Sequence, residues 1–277
     1  MFTITDNLKI LDKDMSEYAI INVSVSNHYR ECFSDTDITT QGVLGEKVEI
    51  LDRQDTHVYI RQVDNYQSWV SNDQITPAVD LPGRDVMVRK HFMRITAKPS
   101  TSSEGVRDAV IGSMLSVVDE QDDWYQLILP DRITGWAKKK HFGDMLSFSV
   151  ENIISLAREF LGYQYFWGGK TPKGFDCSGF IQTIFYLQGI QISRDANSQQ
   201  KKQQVSTNYL DAQPGDLVFF SDQPDTVTHV GISLGEEKYI HASGWVKINS
   251  FNENDVDYSA KYKAIFTSVN RYRLHEN

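Results

Sequence analysis

Phe175-Asp176-Cys177-Ser178-Gly179-Phe180 sets a cysteine at the head of a run in which Phe180, Ile181, Ile184, Phe185 and Leu187 recur at helical spacing. The thiol is therefore expected at a helix N-terminus, where the partial positive charge favours thiolate. Two histidines follow it. His229 begins the strand-like alternation His229-Val230-Gly231-Ile232-Ser233-Leu234, and His241 follows the short apolar stretch Lys238-Tyr239-Ile240. The twelve-residue offset suits a hairpin that brings both imidazoles to one sheet face. A cysteine taken alone is most often a small buried hydrophobe. Here it has an imidazole to take its proton and a second polar group to hold that imidazole's tautomer, which is what a thiol needs to attack at neutral pH. Cys177, His229 and His241 thus read as nucleophile, base and orienting group. Zinc is the weaker reading, because no close Cys-x-x-Cys or His-x-x-x-His pair occurs and the other cysteine, Cys32, is remote. No metal and no cofactor is expected.

The chain has 277 residues, 40% of them hydrophobic, and a formal charge of −9. Its length suggests about two domains on a prior of ~150 residues each. No window approaches the ~20 apolar residues of a membrane span. The acidic balance argues against nucleic acid or an anionic membrane as partner, while a cationic or zwitterionic substrate is compatible with it. Two distant cysteines give no disulfide framework, and a free catalytic thiol suits a reducing compartment. Met1-Phe2-Thr3-Ile4-Thr5-Asp6-Asn7 has neither a basic nor an apolar leader region, so a cytoplasmic monomer is expected, or a periplasmic or secreted one if a leader has been removed.

The N-terminal half repeats itself. Gly45 with Val48, Ile50 and Trp69 recurs as Gly112 with Leu115, Val117 and Trp136, every member shifted by 67 positions. Short alternating runs bounded by Gly, Asp and Asn, such as Val48-Glu49-Ile50-Leu51 and Trp124-Tyr125-Gln126-Leu127-Ile128, predict two small antiparallel barrels with Trp69 and Trp136 in their cores. Pro77 and Leu81-Pro82-Gly83 break the chain between them. Glu151 to Leu161 then carries apolar residues at 153, 154, 157, 160 and 161, a helical spacing, with Gly162 as C-cap. The expected division is 1–80, 81–145 and 146–277, docked closely because no low-complexity linker separates the parts.

Asp176-Cys177-Ser178-Gly179-Phe180, Tyr165-Phe166-Trp167-Gly168-Gly169, Pro214-Gly215-Asp216-Leu217-Val218-Phe219-Phe220 and His229-Val230-Gly231-Ile232, in this order, resemble the NlpC-type papain-like cysteine peptidases of bacterial cell-wall metabolism. The Trp-Val and Trp-Ala steps of the repeats resemble bacterial SH3-like domains. The fold expected is two small all-β SH3-like barrels followed by an α+β papain-like peptidase domain. The backbone N–H of Cys177 can serve a developing oxyanion, and the resemblance implies the Tyr165 hydroxyl as a second donor. Asp176 either caps the helix or, with Ser178, lines the substrate site.

Ser193-Arg194-Asp195-Ala196 is similar to the Arg-Asp element of the YkfC-type γ-D-glutamyl-diamino-acid endopeptidases, which carry SH3-like domains ahead of the peptidase domain. In that group the Asp binds the free amine of an N-terminal L-Ala and the Arg lies near the D-Glu carboxylate, which implies these roles for Asp195 and Arg194; the pairings are chemically sound. Ala196 stands where the group often has Ser. The group also closes the amine pocket with an acid and a tyrosine of its first SH3-like domain, which implies Asp37, within Ser34-Asp35-Thr36-Asp37-Ile38, and Tyr66. The function implied is hydrolysis of the γ-D-glutamyl to diamino acid bond in muropeptides with a free N-terminal L-Ala. The alternatives are an SH3-like wall-binding protein and an amidase or other hydrolase acting on intact peptidoglycan.

Overall fold

A computed structural model describes residues 17–33, 36–201 and 204–272. The start read above for a leader, Met1 to Asn7, lies outside these residues, as do Ser34 and Asp35.

Strands β1 (Glu17–Ile21), β2 (Val25–Tyr29), β3 (Ile38–Val43), β4 (Lys47–Arg53), β5 (His57–Arg61), β6 (Gln67–Ser71) and β7 (Ile75–Pro77) form one antiparallel sheet in the order β3-β2-β6-β5-β4-β1-β7. The next seven are β8 (Arg84–Val88), β9 (Phe92–Thr96), β10 (Gly105–Val110), β11 (Met114–Gln121), β12 (Trp124–Ile128), β13 (Thr134–Lys138) and β14 (Phe142–Gly143). They lie in the order β10-β9-β13-β12-β11-β8-β14. Adding seven to each label of the first sheet gives the second, so the 67-residue repeat is a repeat of topology. Gly45 and Gly112 share φ +88°, a left-handed conformation that suits glycine. A Cβ on Gly45 would fall 1.9 Å from the Met114 carbonyl oxygen, so the two sheets touch there.

Two details differ from the sequence reading. Among the described residues no ladder joins β3 to β7 or β10 to β14, so the SH3-like sheets remain open at those edges. Trp69 and Trp136 are only half-buried; period-two alternation turns Ser68 and Val70, and Ala137, inward, and leaves the indoles on the outer face.

The last unit is α+β. Helices α1 (Val150–Glu159), α2 (Cys177–Tyr186), α3 (Ala196–Gln200) and α4 (Ala260–Ala264) accompany the short hairpin β15 (Lys170–Thr171) and β16 (Gly174–Phe175). The main sheet comprises β17 (Gln204–Ser206), β18 (Leu217–Phe220), β19 (His229–Gly235), β20 (Lys238–Ser243), β21 (Trp245–Ser250) and β22 (Phe266–Asn270), in the order β17-β22-β18-β19-β20-β21. Phe180, Ile181 and Ile184 of α2 bury one face against Phe219, Val230, Ile232, Ile240 and Ala242. Val218, Phe220, Tyr239, Phe251 and Tyr262 fill the other face. No helix among the described residues is long and apolar enough to cross a membrane.

The three units dock. From the first sheet, Gln41 Oε1 accepts from the Lys170 N–H at 3.0 Å and Asp64 accepts from Gln182 Nε2 at 2.7 Å. From the second, the Gly112 carbonyl accepts from the Tyr186 hydroxyl at 3.2 Å.

Candidate active site

Asp176 organises the turn that carries Cys177. Its extended backbone makes it the N-cap of α2, its Oδ1 accepting from the Gly179 N–H at 2.7 Å while Oδ2 accepts from the Gly168 N–H at 3.0 Å. Arg194, 2% exposed, donates to both carboxylate oxygens at 3.1 and 2.5 Å, to Ser178 Oγ at 2.9 Å and, across the domain boundary, to Thr40 Oγ1 at 3.1 Å. Four of the five guanidinium donors are thus engaged within the protein. The structure turns Asp176, Ser178 and Arg194 inward as a support for the turn that carries the thiol, which realises the capping alternative for Asp176. The reason is burial: a guanidinium sealed from water must be matched by fixed acceptors.

Cys177 is the first residue of α2, so its N–H has no intrahelical partner and is free for an oxyanion. The thiol lies against the start of β19, in hydrogen-bonding reach of the Val230 N–H. Burial pushes it up to about 12, with the Asp176 carboxylate adding to the push and Val230 N–H and Arg194 opposing it. The helix terminus therefore does not by itself give a resting thiolate; desolvation outweighs it. Tyr165 feels Cys177 electrostatically, its phenol raised first by burial and then by that thiol.

His229 and His241 come together as the hairpin spacing predicts. His229 Nε2 and His241 Nδ1 are 2.7 Å apart, and His241 Nε2 is 2.9 Å from Asn249 Oδ1. The chain of bonds fixes the tautomers. Asn249 Nδ2 donates to the Asp257 carbonyl at 2.8 Å, so Oδ1 faces His241 as an acceptor and Nε2 of His241 carries a proton. With His241 neutral, its Nδ1 then accepts from His229 Nε2–H, leaving the lone pair of His229 on Nδ1. Neutrality is enforced by burial, which lowers His241 to about 4 and takes His229 well below the ordinary imidazole range, with His241 the next cause for His229. Tyr262 stacks on His229, ring centroids 5.0 Å apart, and its hydroxyl donates to Ser243 Oγ at 2.7 Å. Both nitrogens of His241 are thus engaged, with His229 and Asn249, while His229 keeps Nδ1 open, and among the described residues no cluster of three or more His, Cys, Asp or Glu is arranged to hold a metal ion.

Asp195 and Tyr66 lie within electrostatic reach of each other at the domain boundary. Burial raises the Tyr66 phenol, and the Asp195 carboxylate raises it further. Burial likewise raises Asp195, against the pull of Arg194. Asp37 does not stand in this neighbourhood as a bare acid: Arg30 Nε donates to its Oδ2 at 2.8 Å, and Arg30 is in electrostatic reach of Asp195 and Tyr66 as well. The sequence reading missed Arg30, Asn249, Tyr262 and the Val230 N–H. Only Asn249 had a signal, as a polar residue in the alternation of Trp245 to Asn249, on the strand after His241.

Residues 162–265 match the NlpC/P60 family and residues 29–75 match the bacterial dipeptidyl-peptidase SH3 domain. The chain carries an NlpC/P60 domain. This domain contains the thiol, both histidines and Asn249, and the SH3 domain contributes Thr40 and Tyr66. A γ-D-glutamyl-L-lysine dipeptidyl-peptidase of Bacillus cereus is 28% identical over 225 residues, 74% of this chain and 67% of that protein. Dipeptidyl-peptidase 6 of Lysinibacillus sphaericus is 24% identical over 271 residues, covering 91% and 98%. The crystal structure of an NlpC/P60 family protein from Bacillus cereus shares the fold, with a TM-score of 0.77 at 22% identity over 92% of this chain and 99% of that one.

Proposed function

We propose that this NlpC/P60 cysteine peptidase hydrolyses the bond between γ-D-glutamate and the following diamino acid in short peptidoglycan-derived peptides whose N-terminal L-Ala amine is free. In this reading Cys177 attacks the carbonyl as His229 Nδ1 takes its proton, and the Cys177 N–H with the Tyr165 hydroxyl receives the oxyanion. His229 then returns the proton to the leaving amine, while His241, steadied by Asn249, holds its tautomer. Because burial opposes a resting thiolate, proton transfer and attack are coupled.

The observation that carries the substrate choice is Asp195. Its carboxylate is desolvated and raised, beside a tyrosine of another domain. An ammonium arriving there relieves that cost, whereas an acylated amine leaves it in place. The two dipeptidyl-peptidase relatives support the same reading. The test is kcat/KM for L-Ala-γ-D-Glu-L-Lys beside its N-acetyl form. The free peptide is expected to win by roughly 30-fold to several thousand-fold, the loss that follows when a buried charge keeps no partner. Asp195→Asn should remove most of the difference. Equal cleavage of both peptides sinks the proposal and favours a hydrolase of intact wall. Selectivity for free peptides suits muropeptide turnover by a cytoplasmic monomer, which fractionation and sedimentation test.

A further inference from the structure

Strand β21 carries a cation and an aromatic ring that no step above employs. In its ladder with β20, Lys247 lies opposite His241 and Trp245 opposite Ser243. Alternation puts both side chains on the sheet face that bears the histidine pair. Lys247 Nζ sits 4.5 Å from the centroid of the Trp245 ring, and Trp245 is 52% exposed. Among the described residues, the ion-paired lysines and arginines of this domain are Lys170, Lys173, Arg194, Lys238, Lys263 and Arg271; Lys247 is not one of them. An ammonium held on an indole beside the histidine pair, with no carboxylate in ion-pairing range among the described residues, is ready for an anion.

The sheet order says which part of a substrate passes there. Asp195 leads into α3, which bonds β22 through Gln200 Nε2 and Ser268 Oγ at 3.1 Å and reaches the residue before Thr228 through Asn197 Oδ1 and the Val227 N–H at 3.4 Å. Strands β22 and β18 lie on one side of β19, and β20 and β21 on the other. A peptide that has its amino end at Asp195 and its scissile carbonyl at Cys177, and that continues in the same sense across the end of the sheet, reaches β20 and β21, a lateral step of two strands or about 9–10 Å. The departing piece is the diamino acid. We propose that Lys247, seated on Trp245, forms a leaving-side subsite that binds the carboxylate of the departing diamino acid. The assignment rests on the proposed function, since the amine at Asp195 sets the direction of the peptide.

Lys247 would also couple binding to chemistry. Its charge is among the influences that lower both His229 and His241. A carboxylate docked on the ammonium offsets that charge and makes His229 a stronger base when substrate is present.

The experiment compares L-Ala-γ-D-Glu-L-Lys with its C-terminal carboxamide, using wild type, Lys247→Met and Lys247→Arg, with the N-acetyl peptide as a third substrate. Wild type is expected to favour the acid over the amide by about tenfold in kcat/KM, the scale of one hydrogen bond to a charged group. Lys247→Met should lose that preference, with little change on the amide, and Lys247→Arg should keep it. Met preserves the stem over the indole on a half-exposed position, and the wild-type acid-to-amide ratio is decisive even if that variant folds poorly. A wild-type ratio near one, or equal losses on acid and amide in Lys247→Met, overturns the subsite while free-amine selectivity stands. Loss of discrimination against the N-acetyl peptide in wild type instead overturns the proposed function, and the subsite with it.

Discussion

Asn249 does for His241 what His241 does for His229: it admits one tautomer. A two-step relay should weaken with each step away from the reacting atoms. Cys177→Ala is expected to abolish turnover in a folded protein, since the neighbouring Ser178 hydroxyl is tied to Arg194 and Asp176 and does not replace the thiol. His229→Ala should cost roughly 10²- to 10⁴-fold in kcat, the range of general acid–base catalysis. His241→Gln, which can still accept from His229, should retain measurable activity, and Asn249→Leu should cost about tenfold; steady-state kinetics on one peptide rank all four. If Asn249→Leu proved as damaging as His229→Ala, the tautomer chain described here would be wrong. The cysteine and both histidines were legible because few residue types can be nucleophile or base and their order leaves little choice. Asn249 was not, because an asparagine becomes an orienting group only through the strand beside it and the Asp257 carbonyl that turns its amide.

The first turn of α2 is tied down by contacts from four places in the chain. Asp176 caps it, Gly168 and Arg194 hold Asp176, and Thr40 holds Arg194. Gly179 lets the helix approach so closely that a Cβ there would lie 2.2 Å from the Gly169 carbonyl oxygen. Arg194→Met should therefore destabilise the protein by about 3–5 kcal/mol, because it strands a buried carboxylate. Urea unfolding checks this, and a change under 1 kcal/mol would show that Asp176 finds another partner. The helix itself was readable from the spacing of Phe180, Ile181, Ile184 and Phe185. The inward turn of Arg194 was not, since a sequence displays a charge without its exposure, and the partner lies 18 residues away. Spacing likewise located the alternating strands of the repeats without saying which side of each sheet Trp69 and Trp136 would take.

At the level of the whole molecule, three histidines are held neutral in two separate places, His28 in the first sheet and the pair His229 and His241 in the last. Burial lowers His28, inside the first sheet, to about 3, beside the lowering of His241 to about 4 and of His229. A folded-state value below that of the free imidazole means that the contribution to stability is complete above about pH 6.5 and is lost as the pH falls toward the folded value. For His28 alone the loss at pH 4 is on the order of 3 kcal/mol. The melting temperature should thus fall steadily from pH 6.5 to pH 4, and His28→Gln should flatten part of that slope; a melting temperature constant over this range refutes the assignment. The repeat of 67 residues announced two equal sheets, and the matching strand orders show how far that holds. The docking was not written in any one motif, because it is made of single residues, Thr40, Gln41, Asp64 and Gly112, scattered through the repeats.

The bond from Arg194 to Thr40 spans 154 positions of the chain. On the ribosome, at about 5–20 residues per second, roughly 8–30 s separate the emergence of its two ends. The first sheet is finished well before the peptidase helix arrives, so the nascent nucleophile is received by a surface already in place. Moving the SH3 domain to the other end of the gene would reverse that sequence of events, leaving Arg194 and Asp176 exposed to the translation machinery's surroundings until their acceptor appeared.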